Sequence, residues 1–219
     1  MIDVVLVDWG HTLFDTVGSV EFIVDWASRH DTPIDTAQAR VLWNDARVRS
    51  RDAAEIAKGR DKSSALHRAC WTALWTELES AVPGVAAELY GFETSVAGWT
   101  PYVDTAEVLR ALHERGVPVV VVSDVPFDLR PIFVHYGFQS YVHAYVLSGE
   151  HGTIKPELRL FQIALDAAGI SADRALMVGD NHHNDGAAID VGIRTLLLPP
   201  VGHGEPRGLW SIVDLVDAG

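Results

Sequence analysis

The run Val4-Val5-Leu6-Val7 ends at Asp8 and is followed by Trp9-Gly10-His11-Thr12-Leu13-Phe14-Asp15. A short run this rich in valine, with no polar alternation, reads as a strand buried on both faces, which is the condition of a parallel strand between two helical layers. That requirement constrains the fold more than any other feature of the chain. In open α/β sheets ligands bind beyond the carboxyl ends of the strands, so Asp8 stands where chemistry is usually done.

Other runs repeat the pattern. Val117–Val122, Ala175–Val178 and Thr195–Leu198 read as buried parallel strands beside Ile2–Val7, and Ala144–Leu147 is a shorter fifth. Helical patterns lie between them. Thr105–Arg115 opens with Asp104 and Glu107 in capping-box spacing and stops at Gly116; Glu157–Ala168 follows Lys155-Pro156 and stops at Gly169. Strands alternating with helices predict a doubly wound, Rossmann-like three-layer α/β/α sandwich around a parallel sheet.

Residues 17–98 break that rhythm. Their apolar positions fall at helical spacing (Phe22, Ile23, Trp26; Ala39, Leu42, Trp43, Ala46; Leu66, Ala69, Cys70, Ala73, Leu74). Turn signals at Thr32-Pro33 and Pro83-Gly84 divide the stretch into about four helices. Five of the seven tryptophans, Trp26, Trp43, Trp71, Trp75 and Trp99, are expected to fill the core of this helical bundle. Beyond Pro199-Pro200 the chain is turn-rich and expected to cover a sheet edge.

Composition narrows the class. With 48% hydrophobic and 21% charged residues the chain is ordinary for a globular protein, and no apolar run approaches the roughly 20 residues that span a bilayer. Cys70 is the single cysteine, so no internal disulfide forms and a cytoplasmic location is expected. The formal net charge of -13 argues against nucleic-acid and anionic-membrane partners. It permits an anionic substrate, because a bound cation and one lysine reverse the field inside a pocket.

The other strand ends also deliver polar groups. Val119–Val122 leads into Ser123 and Asp124, and Ala175–Gly179 leads into Asp180, with Asn184-Asp185 shortly after. Lys155 sits in the loop Gly152-Thr153-Ile154-Lys155-Pro156. Singly each has an ordinary explanation: Asp8 or Ser123 capping a turn, Lys155 solvated, Asp180 capping a helix. As an ordered set, Asp8…Ser123…Lys155-Pro156…Gly179-Asp180-x-x-x-Asn184-Asp185 resembles the four motifs of the haloacid dehalogenase superfamily. The resemblance covers essentially all of the chain outside 17–98. Val4–Asp15 itself resembles the family's nucleophile loop, Asp-x-Asp-x-Thr-Leu, with Gly10 in place of the second aspartate.

The resemblance implies a core domain of residues 1–16 and 99–219, with residues 17–98 as a helical cap hinged at Asp15–Gly18 and Ala97–Pro101. It implies that Asp8 is the nucleophile and forms an aspartyl-phosphate, splitting one hydrolysis into two easier steps. Mg²⁺, which prefers hard oxygen ligands, would be held by Asp8, Asp180, Asp185 and the backbone carbonyl of Gly10. Lys155 would balance charge, and Ser123, Asp124 and Lys155 would contact substrate. The implied partner is a small phosphorylated or anionic metabolite, bound by a monomer or homodimer.

Gly10 removes the family's usual proton carrier, whose general acid–base catalysis contributes roughly 10²–10⁴-fold. Three explanations stand. His11 could take over, since an imidazole titrates near neutral pH; packing under the cap is its more ordinary fate, and His182 and His183 are weaker substitutes. Alternatively the substrate has a good leaving group, as an acyl-phosphate does, or the scissile bond is C–P or C–halogen. Phosphonoacetaldehyde hydrolases carry a similar Asp-Trp-Ala-Gly-Thr, with Lys58 or Lys62 then standing for their Schiff-base lysine, but Lys155-Pro156 departs from their pattern. Dehalogenases carry a tyrosine at the position of Gly10. Third, the chain binds phosphate as a sensor or interaction protein without turnover. In the cap, Arg47, Arg49, Arg51, Lys58, Arg60 and Lys62 form either a solvated face or, through one or two members, a contact to an anionic tail.

Overall fold

The computed structural model describes residues 1–202 and 204–218. Its strands are β1 (Val4–Val7), β2 (Phe14–Thr16), β3 (Trp99–Pro101), β4 (Val119–Ser123), β5 (Val142–Leu147), β6 (Ala175–Gly179) and β7 (Arg194–Leu197). Five form one parallel sheet in the order β5-β4-β1-β6-β7, with β1 in the middle. The carboxyl ends of β1, β4 and β6 therefore lie side by side, which brings Asp8, Ser123 and the Asp180 loop together.

Between β2 and β3 the chain makes helices α1 (Ser19–Arg29), α2 (Thr36–Arg49), α3 (Ala53–Ile56), α4 (Ser64–Leu74), α5 (Thr76–Ala81) and α6 (Val85–Glu93). Six helices replace the four expected. The short α3 is set off by Gly59 at φ 61°, and α4 and α5 part at Trp75, whose φ/ψ of -88°/16° ends one helix and begins the next. These helices have an apolar cluster of their own around Ile23, Trp75, Leu78 and Leu89, with Trp26, Trp43 and Trp71 against it. Trp99 does not join them. It sits on β3 with its ring centroid 4.0 Å from that of Trp9, in the apolar layer of the sheet. The two chain crossings pair as an antiparallel ribbon, β2 with β3, extended by the Val17 N–H donating to the Gly98 carbonyl at 2.9 Å.

The remaining helices are α7 (Thr105–Glu114), α8 (Arg130–His135), α9 (Ser148–His151), α10 (Leu158–Ala168) and α11 (Trp210–Ala218). Strand side chains alternate between faces. Val5, Val7, Val119, Val121 and Val178 pack with Leu109 and Leu112 of α7, Phe133 of α8, and Ile212 and Val213 of α11. Val4, Leu6, Val120, Val122 and Met177 pack with Leu160, Phe161 and Ala164 of α10 and Ala188 of a 3₁₀ turn. The result is the three-layer α/β/α sandwich. Among the described residues no helix is long and apolar enough to cross a membrane.

Two local expectations are corrected. The segment after Pro199-Pro200 does more than cover an edge, because Leu209, Ile212 and Val213 enter the core. Asp104 makes no capping bond to α7. Its carboxylate instead accepts the backbone N–H groups of Arg207 (2.9 Å), Gly208 (2.9 Å) and Leu209 (2.8 Å), a segment whose donors have no ladder of their own. Asp104→Ala strands these donors and is expected to destabilise the protein by about 2–4 kcal/mol in denaturant unfolding. An unchanged midpoint would contradict this account of the C-terminal segment.

Candidate active site

Lys155 joins the strand ends. Its ammonium, on a side chain only 3% exposed, donates to Asp8 Oδ1 (2.8 Å), Asp185 Oδ1 (2.6 Å) and the Val122 carbonyl (3.2 Å). An ammonium has three protons, so all of its donors are committed to the protein. Ser123 Oγ donates to the same Asp8 Oδ1 at 3.1 Å. Among the described residues, no hydrogen bond reaches Asp8 Oδ2. One carboxylate oxygen is thus oriented by Lys155 and Ser123, and the other has no such partner among the described residues.

Asp185 is fully buried, and its Oδ2 accepts the N–H groups of Asp180 (3.1 Å) and Asn181 (2.9 Å). This approach requires Gly179, where a Cβ would lie 2.1 Å from Asp185 Oδ2. Asp8, Asp180 and Asp185 each present an oxygen within 4.8 Å of the others. Asp124 turns to the protein: Oδ1 accepts the Lys155 N–H at 2.8 Å and Oδ2 accepts from Asn184 Nδ2 at 3.3 Å. It braces the lysine loop against the Asp180–Asp185 loop.

The space beside Gly10 is occupied by Trp99, whose ring carbons would lie 3.6 and 3.7 Å from a Cβ there. The indole is fixed by its N–H donating to the Glu93 carbonyl at 2.7 Å. His11 has φ 59° in the left-handed region. Arg47 Nη2 lies 3.1 Å from His11 Nε2, and His11 Nδ1 lies 3.5 Å from Asp15 Oδ1. A guanidinium can only donate, so His11 Nε2 is the acceptor in this contact. Of the basic run from Arg47 to Lys62, Arg47 is the member with a contact to this loop among the described residues, stacked over Trp43 at 4.8 Å. Lys58 pairs with Glu55 (2.5 Å) and Lys62 with Glu157 (2.6 Å), so neither serves as a lysine over Asp8. His182 and His183 are exposed.

The helical segment closes on the core at a second place. Asp61 accepts through its carbonyl from Ser148 Oγ at 2.5 Å, and Ser64 Oγ donates to the Pro126 carbonyl. A groove of about 570 Å³, lined by Ala69, Thr72, Ala73, Thr76, Glu79 and Ser80, lies on α4 and α5 and includes none of the strand-end residues. Sequence reasoning missed Trp99 as the neighbour of Gly10, and it missed Arg207, whose Nε donates to the His11 carbonyl at 2.7 Å. No local signal marks either one, because both contacts join segments far apart in the chain.

Comparison with known proteins shows the family and the fold. The family model of haloacid dehalogenase-like hydrolases matches residues 2–192. A phosphoserine phosphatase of Thermus thermophilus is 34% identical over 85 residues, 38% of this chain and 34% of the relative. Over the curated relatives, the matched stretch spans from 34% to 64% of their length. Among solved structures, a HAD phosphatase from Thermococcus onnurineus superposes with a TM-score of 0.67 at 18% identity, covering 98% of each chain. The L-2-haloacid dehalogenase from Xanthobacter autotrophicus gives 0.69 at 16% identity, covering 100% of this chain and 84% of the other. At these identities the two structures speak to the fold alone.

The electrostatics show what the cluster needs. Burial pushes the Asp8 carboxyl up to about 6; Lys155 pulls it down, and Asp185 and Asp180 push it further up. Asp180 is also raised, first by burial and then by Asp185. Asp124 is pushed up to about 7, mainly by burial against the pull of Lys155. Burial alone would lower Lys155, but Asp185, Asp8 and Asp124 hold it well above its usual range. Three carboxylates facing one ammonium leave negative charge in excess, and their hard oxygens suit a divalent cation. Because Asp8 is raised in the folded state, the native form holds a proton that the unfolded chain has lost between pH 3.8 and about 6. Its ionisation therefore costs stability fully above pH 6 and not at all below 3.8. Metal-free Asp8→Asn is expected to be more stable than wild type at pH 7.5 by about 1–3 kcal/mol, with the gain vanishing near pH 4. A variant less stable at pH 7.5 would contradict this reading.

Proposed function

The chain belongs to the haloacid dehalogenase-like hydrolase family, and on that premise we propose that it hydrolyses a small phosphorylated metabolite through an aspartyl-phosphate on Asp8, with Mg²⁺ as cofactor. The observation that carries this reading is the Asp8 carboxylate itself. It is buried at a strand end, with Oδ1 held by Ser123 and Lys155 and Oδ2 open to attack phosphorus. Attack forms the Asp8–phosphorus bond as the bond to the leaving oxygen breaks. Water then cleaves the acyl-phosphate, releasing phosphate and restoring Asp8. Mg²⁺, held by Asp8, Asp180, Asp185 and the Gly10 carbonyl, would supply charge neutralisation for carboxylates and phosphoryl oxygens. Lys155 contributes fixed positive charge, since its protons are already bound, while Asp124 keeps it in place.

The helical segment 17–98 serves in this reading as the cap, closed by the Arg47–His11 and Asp61–Ser148 contacts. Relatives named for phosphoserine, phosphoglycolate and ribulose-1,5-bisphosphate phosphatase activity favour a small phosphorylated substrate. A second reading, phosphate binding without turnover, is favoured by one observation. The carboxylate is missing at Gly10, and the nearest substitute, His11, already has Nε2 engaged by Arg47. Hydrolysis of acetyl phosphate separates the two readings, because its leaving group needs little protonation.

Asp8→Asn is expected to abolish Mg²⁺-dependent turnover of acetyl phosphate; full activity in that variant would remove the mechanism. Gly10→Asp, at a position without positive φ and with Trp99 only in ordinary contact, is expected to raise p-nitrophenyl phosphate turnover by up to roughly 10²-fold. An unchanged rate would mean that the missing carboxylate does not limit catalysis.

A further inference from the structure

Arg207 is a buried guanidinium that lies over the Tyr102 ring at 5.7 Å and is felt at Asp180 only from a distance. It is 2% exposed, lies beyond the 2–192 stretch matched by the family model, and makes no ion pair with a carboxylate among the described residues. Its guanidinium donates to three carbonyls: His11 through Nε (2.7 Å), Leu198 through Nη2 (3.2 Å) and Pro199 through Nη1. Burying an unpaired guanidinium is costly, so the carbonyls it binds need a reason to be held.

His11 supplies that reason. It is one of two non-glycine residues with positive φ among the described residues, at 59°, a conformation that side chains with a Cβ disfavour. Two peptide planes flank it. The first carries the Gly10 carbonyl and is pinned by the His11 N–H donating to the Phe14 carbonyl at 2.6 Å. The second carries the His11 carbonyl, which Arg207 pins. With both planes fixed, His11 cannot relax out of the left-handed region. The arginine is itself anchored, because the Asp104 carboxylate holds its backbone N–H and those of the next two residues.

We propose that Arg207 is a positioning residue that holds His11 in its left-handed conformation and so sets the Gly10 carbonyl as a ligand for the divalent cation. This rests on the reading that Gly10 contributes its carbonyl to a metal site. The nucleophile loop, at the start of the chain, is thereby set by a segment near its end.

The test measures Mn²⁺ and Mg²⁺ dissociation constants by calorimetry, without substrate, for wild type, Arg207→Met and Arg207→Lys, each with and without His11→Gly. Arg207→Met is expected to weaken metal binding by roughly 10–100-fold, as loss of a ligand's supporting contact typically does. Arg207→Lys, which keeps the charge but not the fork of donors, should show a smaller loss. His11→Gly should restore most of the affinity in both, because glycine adopts the left-handed region without strain. Wild-type affinity in the Arg207 variants would overturn the proposal, and so would a deficit that His11→Gly leaves unchanged. Failure of both variants to fold, with and without His11→Gly, would also overturn it by making Arg207 a global strap. Absence of metal binding in wild type would remove the metal reading and this proposal together; normal wild-type binding with unaffected variants would remove this proposal alone.

Discussion

The ammonium of Lys155 between Asp8 and Asp185 is the contact on which the site depends. Two carboxylates that are nearly or fully buried within a few ångströms of each other repel, and a buried lysine alone is poorly solvated. Together they are tolerated because Lys155 spends its three protons on Asp8, Asp185 and the Val122 carbonyl. The rest of the constellation is built to hold that arrangement. Asp124 fixes the lysine backbone, Asp185 also gathers the Asp180 and Asn181 N–H groups, and Gly179 leaves room for it. One positive charge against this acidic set leaves the net negative charge that a divalent cation would balance.

Gly10 gains a physical meaning from its surroundings. The Trp99 indole, which the ribbon of β2 and β3 delivers from the far end of the helical insert, lies beside it at ordinary van der Waals distance. The neighbouring His11 is turned into the left-handed region and engaged by Arg47 of α2. The loop after Asp8 thus has glycine at position 10, with His11 beside it held by contacts to Arg47 and Asp15. Its groups tie the helical segment and the C-terminal segment to the strand end.

The strand ends were legible because their chemistry is local: a valine run predicts a buried strand, and the residues just beyond it must lie at the sheet's edge. Asp8, Ser123, Lys155, Asp180 and Asp185 converge for that reason, and the parallel order of β4, β1 and β6 makes the convergence unavoidable. The features that could not be read depend on contacts across long separations. Asp104 looked like a helix cap, yet its partners are Arg207, Gly208 and Leu209, about a hundred positions on. Trp99 looked like one more bundle tryptophan, yet the ribbon turns it onto Trp9. Arg47 lies in a run of basic residues, and its contact with His11 is set by the packing of α2 rather than by the run. The family resemblance implies a substrate contact for Asp124, whereas its two oxygens accept from the Lys155 N–H and from Asn184.

The most direct test is to trap the covalent intermediate. After incubation with acetyl phosphate and Mg²⁺ and rapid acid quench, mass spectrometry of the peptide carrying residues 1–16 is expected to show one phosphoryl group, on Asp8. Turnover with phosphate on another residue, or with no phosphorylated peptide at any quench time, would contradict the account.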